Sequence, residues 1–270
     1  MKMDELSARG LVLLGCGKMG SAMLEGWLDR GLAPAGVTVI DPRPSDWLKE
    51  TGVHLGSDLP PAPAIVLIAV KPQMMAEALP VLKPLGEGDT LFVSVAAGTP
   101  ISHYESVLGA ATPIIRAMPN TPAAIGRGIT ALIGNGAATE IHLALAESLL
   151  SAVGETVRLQ KEGQMDAVTA VSGSGPAYVF HLIEALAAAG EAEGLPPELA
   201  LRLAKVTVAG AGALAIESGE APSQLRINVT SPNGTTAAAL HVLMDEEAGF
   251  PPLLRRAVKA AADRSRELSR

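Results

Sequence analysis

The hydrophobic pattern changes character once along the chain. From Leu11 to about Leu159, short apolar runs alternate with segments of helical spacing. Leu11-Val12-Leu13-Leu14, Val37-Thr38-Val39-Ile40, Ala64 to Val70, Thr90 to Val95, Pro113 to Met118, Gly128 to Ile133 and Glu155 to Leu159 read as strands. The run from Ala64 to Val70 is almost unbroken, as a strand covered on both faces requires. Helical spacing marks about Lys18 to Arg30, Gln73 to Leu82 and Thr139 to Leu150, with Gly31 placed to stop the first. Strand–helix alternation with short loops predicts an α/β fold with a doubly wound, mostly parallel sheet.

After Lys161 the strand-like runs end. Ala/Leu/Glu stretches predict a helix from Pro176 to Glu193, stopped by Gly194, and another opened by Pro196-Pro197 that runs to about Ser218. Two shorter helices follow Ala221 and Asn233, and an amphipathic one spans about Pro251 to Leu268. The change falls near Gln160 to Gly163, which divides the chain into an α/β domain, 1–161, and an all-α domain, 162–270. The two long Ala-rich helices carry little charge. They fit either a homodimer built through this domain or one self-contained bundle.

The first strand runs into Gly15-Cys16-Gly17-Lys18-Met19-Gly20, a G-x-G-x-x-G arrangement between strand and helix. Gly15 suits the tight turn, Gly17 the approach of a pyrophosphate, and Gly20 the packing of helix on strand. The helix N-terminus adds amides and a favourable dipole for phosphate. These features predict a Rossmann-type dinucleotide-binding domain at the N-terminus, the alternative being a glycine-rich turn that serves structure alone. Ligands in such sheets sit outside the carboxyl ends of the strands. That rule gathers Gly15 to Gly20, Asp41 to Arg43, Val70-Lys71-Pro72, Ala96-Ala97-Gly98, and Met118 to Thr121 at one edge. Asp41 lies 41 − 15 = 26 residues after Gly15, near the ~20-residue offset of a ribose-binding acid. Arg43 offers a contact for a 2′-phosphate instead, so the choice between NADPH and NADH stays open. Lys71 reads either as a cofactor contact or as a solvated strand-end lysine. Asn120, between Pro119 and Pro122, sits in a stiff loop suited to wall a nicotinamide ring or simply to connect two elements.

The helical domain has two small-residue elbows at predicted helix starts, Val171-Ser172-Gly173-Ser174-Gly175-Pro176 and Asn228-Val229-Thr230-Ser231-Pro232-Asn233-Gly234-Thr235-Thr236. Hydroxyls with free amides at a helix start suit a carboxylate, and they equally suit plain N-caps at Ser172 or Ser174 and Ser231 or Thr235.

Composition narrows the function classes. A net charge of −7 and the lack of a basic run with interleaved aromatics argue against nucleic-acid binding. Cys16 is the only cysteine, which excludes an internal disulfide and points to a reducing cytoplasm. Met1 to Arg9 lacks the apolar core of a signal peptide, and no uninterrupted apolar stretch approaches 18 residues, so no membrane span is expected. The five histidines are scattered without ligand spacing, so no metal site is expected, and no G-x-S-x-G elbow marks a serine hydrolase.

The glycine loop, Ala69-Val70-Lys71-Pro72, Ser94-Val95-Ala96-Ala97-Gly98, Arg116-Ala117-Met118-Pro119-Asn120-Thr121-Pro122, Val171 to Tyr178 and Val229 to Thr236 together resemble the pyrroline-5-carboxylate reductase family, in order and over nearly the whole chain. The resemblance implies reduction of 1-pyrroline-5-carboxylate to L-proline by NADPH or NADH, the last step of proline biosynthesis. It implies a cofactor-binding N-terminal domain and a helical domain that dimerises, with pentamers of dimers in some members. It puts Val229, Ser231, Gly234, Thr235 and Thr236 around the imine acid, with Thr236 nearest the imine nitrogen and Ser231 and loop amides on the carboxylate. Lys71, Pro72, Ala97, Met118 and Asn120 fall at cofactor-lining positions, beside Gly15, Gly17, Lys18, Met19 and Gly20. The family usually has glycine where this chain has Asn233, a residue that tolerates positive φ. A β-hydroxyacid dehydrogenase on the same scaffold would place a catalytic lysine in the helical domain. Lys205, alone between Lys161 and Lys259 and in a bland Ala/Val helix, counts against that. A non-catalytic dinucleotide sensor would leave Val229 to Thr236 unexplained.

Overall fold

A computed structural model describes residues 9–269. The reading of the N-terminus as lacking a signal-peptide core therefore lies, for residues 1–8, outside the described residues. The chain forms two compact units, one reaching to Gly173 and resuming at Ala262, the other Ser174–Ala261.

Among the described residues the first unit holds an eight-stranded sheet in the order β3-β2-β1-β4-β5-β6-β7-β8. The strands are β1 (Leu11–Leu14), β2 (Val37–Ile40), β3 (His54–Leu55), β4 (Ile65–Ile68), β5 (Leu91–Ser94), β6 (Ile114–Met118), β7 (Gly128–Gly134) and β8 (Gly154–Arg158). Only the β6–β7 pair is antiparallel. The doubly wound, mostly parallel prediction therefore holds. Alternate residues of one strand serve opposite faces. Leu11 and Leu13 pack with Met23, Leu24 and Trp27 of helix α1 (Lys18–Asp29). Val12 and Leu14 pack on the other face with Leu79, Leu82 and Tyr104. Each fully buried aliphatic side chain contributes about 1.5–3 kcal/mol, so this two-sided burial is what fixes the sheet's register. Trp27 satisfies its indole N–H on the Leu149 carbonyl at 2.9 Å, in the helix Glu140–Leu150.

Two segments differ from the pattern reading. The helix expected from Gln73 to Leu82 is three short pieces, a 3₁₀ turn Pro72–Met74, one α-turn Met75–Ala78 and a 3₁₀ stretch Leu79–Leu85. Pro80 and Pro84 withhold the amide donors that a continuous α-helix needs. The pattern also passed over a helix at Ile101–Leu108, which buries Ile101, Tyr104 and Leu108.

The second unit is helical, as predicted. Helices Gly175–Ala192 and Pro197–Glu217 form a hairpin closed by Gly194 at φ +94°. The two approach closely at Gly190, where a Cβ would stand 3.4 Å from that of Ala200. Shorter helices Pro222–Asn228 and Thr235–Leu243 follow. The last helix, Phe250–Leu268, begins in this unit and ends in the first, where Ser265 donates to Asp166 at 2.6 Å. Helix Pro197–Glu217 is long and apolar enough to cross a membrane by length and composition alone, with little of it buried within the chain.

Candidate active site

The parallel register aligns Ile40, Leu14, Ile68, Ser94 and Arg116 in one row across β2, β1, β4, β5 and β6. Each segment singled out in the N-terminal domain begins at or just beyond that row. Gly15 to Gly20, Asp41 to Arg43, Val70 to Pro72, Ala96 to Gly98 and Met118 to Thr121 thus come together at one edge of the first unit.

The glycine loop is built by contact as well as by torsion. Gly15 has φ +87°, its N–H donates to Ile40 at 2.9 Å, and a Cβ there would meet Val70 Cγ1 at 2.9 Å. A Cβ on Gly20 would meet the Gly15 carbonyl oxygen at 2.4 Å, so helix α1 needs glycine to lie this close to β1. Gly17 is different. It is exposed, is the N-cap of α1 with no side-chain cap, and has nothing within 4 Å of a Cβ position. The α1 start is therefore open space before uncapped amides, with Lys18 exposed beside it and Met19 half-buried against the core. That cradle fits a dinucleotide pyrophosphate.

Asp41 has a role that spacing alone does not reveal. Its Oδ2 accepts the Cys16 N–H at 2.7 Å and its Oδ1 accepts the Arg43 N–H at 2.8 Å. The carboxylate ties the end of β2 to the glycine loop, and Arg43 is left exposed beyond it. Burial, and then the charge of Asp41, push the Cys16 thiol up to about 11.

Lys71 and Pro72 are exposed at the end of β4, and Val70 is half-buried. Ala96 and Gly98 are buried, Ala97 half-buried, and Gly98 has φ +75° under the backbone of Leu268. Asn120 accepts the Ile129 N–H at 2.9 Å, which locks the start of β7 to the proline-flanked loop. Met118 leads to the first of the helical domain's elbows. A Cβ on Gly173 would come within 2.6 Å of Met118 Cε, and Gly173 ends a π-helical turn, Thr169–Gly173.

Neither elbow is a plain N-cap. Ser172 Oγ donates to the Val168 carbonyl at 3.2 Å, and Ser174 precedes its helix without a side-chain cap. In the second unit, Gly234 is the N-cap of helix Thr235–Leu243, again with no side-chain cap. Ser231 accepts the Gly234 N–H through its carbonyl at 3.1 Å, closing a turn over Pro232 and Asn233. Asn233 has φ +58° there, the conformation that glycine adopts most readily. Thr235 and Thr236 occupy the first helical turn, whose amides have no intrahelical acceptor. Val229 is exposed just before the turn. A groove of about 660 Å³ runs beside it, walled by Ile227, Leu240 and Met244 with Arg226, Thr230 and His241, but Thr235 and Thr236 do not line it. The turn itself offers uncapped amides and hydroxyls, groups of the kind that bind a carboxylate.

Sequence reading missed a buried polar cluster beneath the strand ends. Arg116, 5% exposed in β6, pairs with Glu162 at 2.8 Å, and Ser94 meets the Tyr104 hydroxyl at 2.5 Å. The available signal was an arginine inside the otherwise apolar run Pro113 to Met118.

Residues 162–268 match the family described as pyrroline-5-carboxylate reductase dimerisation, and residues 11–98 match NADP oxidoreductase coenzyme F420-dependent. The pyrroline-5-carboxylate reductase of Pseudomonas aeruginosa is 38% identical, covering 98% of each chain. The structure of a pyrroline-5-carboxylate reductase from Coxiella burnetii superposes with TM-score 0.91 at 37% identity, over 97% of this chain and 99% of that one. The Plasmodium falciparum pyrroline carboxylate reductase, solved with NADP bound, gives TM-score 0.84 at 29% identity over 98% and 99%. A match that runs from the glycine loop to the last helix takes in both the strand-end cradle and the uncapped turn, and the chain belongs to the pyrroline-5-carboxylate reductase family.

Proposed function

We propose that this protein reduces 1-pyrroline-5-carboxylate to L-proline with NADPH, or with NADH as the alternative donor, as the last step of proline biosynthesis. The observation that carries this reading is the uncapped helix start at Gly234 to Thr236, in a chain that matches pyrroline-5-carboxylate reductases along almost its full length. When bound, the nicotinamide supplies a hydride to the imine carbon. The protein's own part is to hold and orient. Gly15, Gly17, Lys18, Met19 and Gly20 cradle the phosphates, and Val70, Lys71, Pro72, Ala96, Ala97, Gly98, Met118 and Asn120 line the rest of the cofactor site. Both Asp41 oxygens are engaged by backbone amides and Arg43 is exposed, which favours a 2′-phosphate and hence NADPH.

Residues 1–161 serve the cofactor and 162–270 serve substrate and assembly. Ser231 and the amides of Thr235 and Thr236 hold the substrate carboxylate, with Gly234 shaping the turn and Val229 against the ring. The Thr236 hydroxyl faces the imine nitrogen and keeps its proton in place, so that the iminium carbon is electrophilic. Accepting the hydride turns the C=N bond into the C–N bond of a secondary amine. No strong acid–base pair is required, and orientation alone can supply ~7–11 kcal/mol in the best cases.

A homodimer through the helical unit, with pentamers of dimers beyond it, covers the exposed apolar faces. A cytoplasmic location accords with the single thiol, Cys16. Purified protein should oxidise NADPH faster than NADH in the presence of 1-pyrroline-5-carboxylate, read as loss of nicotinamide absorbance. Turnover with neither cofactor overturns the assignment. Thr236→Ala should lower kcat by about 10–100-fold, the worth of one hydrogen bond to a charged group, with cofactor binding nearly unchanged. Equal losses in both would remove Thr236 from its role.

A further inference from the structure

Arg116 and Glu162 play no part in the reading above, yet they sit directly beneath the loop that joins β5 to the helix Ile101–Leu108. Arg116 lies opposite Ser94 in the register of β5 and β6. Its Nη1 donates to Glu162 Oε1 at 2.8 Å, and the same oxygen accepts the Ile101 N–H at 2.8 Å. Ser94 Oγ in turn accepts the Ala96 N–H at 3.3 Å while meeting the Tyr104 hydroxyl. Buried Ser94 thus fastens the loop at its entry, Ala96, and half-buried Glu162 fastens it at its exit, Ile101. Between the two, Ala97 and Gly98 make the turn.

Arg116 is buried but a third of the Glu162 side chain is exposed. An ion pair of this kind is a poor way to gain stability, between the little that surface pairs contribute and the desolvation that buried pairs cost. What a charged, hydrogen-bonded pair supplies is a defined geometry. The geometry fixed here is that of a loop at the carboxyl edge of the sheet, where displacement by about 1 Å can cost a hundredfold in rate. We propose that the Arg116–Glu162 ion pair positions the Ala96–Gly98 loop for hydride transfer, which makes Arg116 and Glu162 positioning residues of the reductase. The proposal rests on the reductase reading and on Ala96 to Gly98 lining the nicotinamide.

The test compares the wild type with Arg116→Met, Glu162→Ala and Glu162→Gln, using NADPH carrying deuterium at the transferred position. With Arg116→Met and Glu162→Ala, kcat should fall at least tenfold while KM for 1-pyrroline-5-carboxylate stays within twofold. The deuterium isotope effect on kcat should rise, because a misplaced ring slows the hydride step itself. Glu162→Gln keeps an acceptor for both Arg116 and Ile101, and should recover most of the rate. Folded variants with a lower melting temperature but an unchanged kcat and isotope effect would show that the pair is only structural. If both charge-removing variants fail to fold, Ser94→Ala loosens the Ala96 end without unpairing a charge. It should raise the isotope effect too, and an unchanged value overturns the proposal. A wild type without turnover on 1-pyrroline-5-carboxylate overturns the reductase reading itself, and with it any role of the pair in hydride transfer.

Discussion

The glycines of the first loop separate by what surrounds them, and that makes their roles testable one residue at a time. Gly20→Ala drives a methyl against a backbone carbonyl that cannot rotate away, so it should destabilise the fold by about 1–3 kcal/mol, read as a shift in chemical unfolding. Gly17→Ala meets nothing, has an ordinary φ of −74°, and should cost less than about 1 kcal/mol. Its effect belongs to the ligand, with KM for NADPH raised about tenfold or more by a methyl in the pyrophosphate's path. A Gly17→Ala enzyme with wild-type KM would place the phosphates elsewhere. Cys16, between Gly15 and Gly17, reports on the same loop through pH. Its thiol titrates near 9.0 in an unfolded chain and near 11 in the folded one. The folded state therefore holds the proton more tightly, and the contribution is fully present below pH 9 and lost as pH rises toward 11. Alkaline unfolding curves should fall through that window in the wild type and flatten in Cys16→Ala. A matching slope in the variant would move the effect to another group.

At the scale of elements, the turn Ser231 to Gly234 sets where helix Thr235–Leu243 begins. Asn233 occupies the left-handed region without a hydrogen-bonded cap beside it, and asparagine is among the few residues that bear this conformation cheaply. Asn233→Gly should leave stability unchanged or slightly higher, while Asn233→Ala should cost about 1 kcal/mol and weaken KM for the imine acid more than KM for NADPH. Thermal unfolding and steady-state kinetics on the two variants check this. An equal effect of the two substitutions would show that the backbone is not what Asn233 serves. Elements such as this were legible because glycine, proline and asparagine mark turns by torsion alone, and because fully buried strands such as Ile65–Ile68 must be apolar throughout. The pieces that escaped reading depend on tertiary neighbours. Helix Ile101–Leu108 shows only three buried positions among polar ones and starts after Pro100. Pro80 and Pro84 break a helix whose apolar spacing survives in 3₁₀ form. Asp41 was legible as an acid at the right offset, but its commitment to two backbone amides depends on where the loop returns in space. The Arg116–Glu162 pair joins residues 46 apart in sequence, and no local pattern announces such a contact.

At the scale of the molecule, the helical unit leaves a coherent apolar face uncovered. Leu199, Leu203, Val206 and Leu214 fall on one side of helix Pro197–Glu217 and remain 43–65% exposed, and Gly210 between them has open space at its Cβ position. A stripe of this size rarely faces water in a stable protein. The match of residues 162–268 to a dimerisation family gives it an occupant, a second copy of the same chain. A two-fold interface uses the same patch twice, so one substitution is felt twice. Val206→Asp would then bury two unpaired carboxylates, each costing at least about 2 kcal/mol. The sum of about 4 kcal/mol weakens the dimer roughly a thousandfold. Sedimentation velocity at micromolar protein should show the wild type as a dimer or larger and Val206→Asp shifted toward monomer, with activity lost in proportion. Activity that persists in a monomeric Val206→Asp would show that one chain completes its own substrate site. A variant that stays dimeric would place the interface on another face.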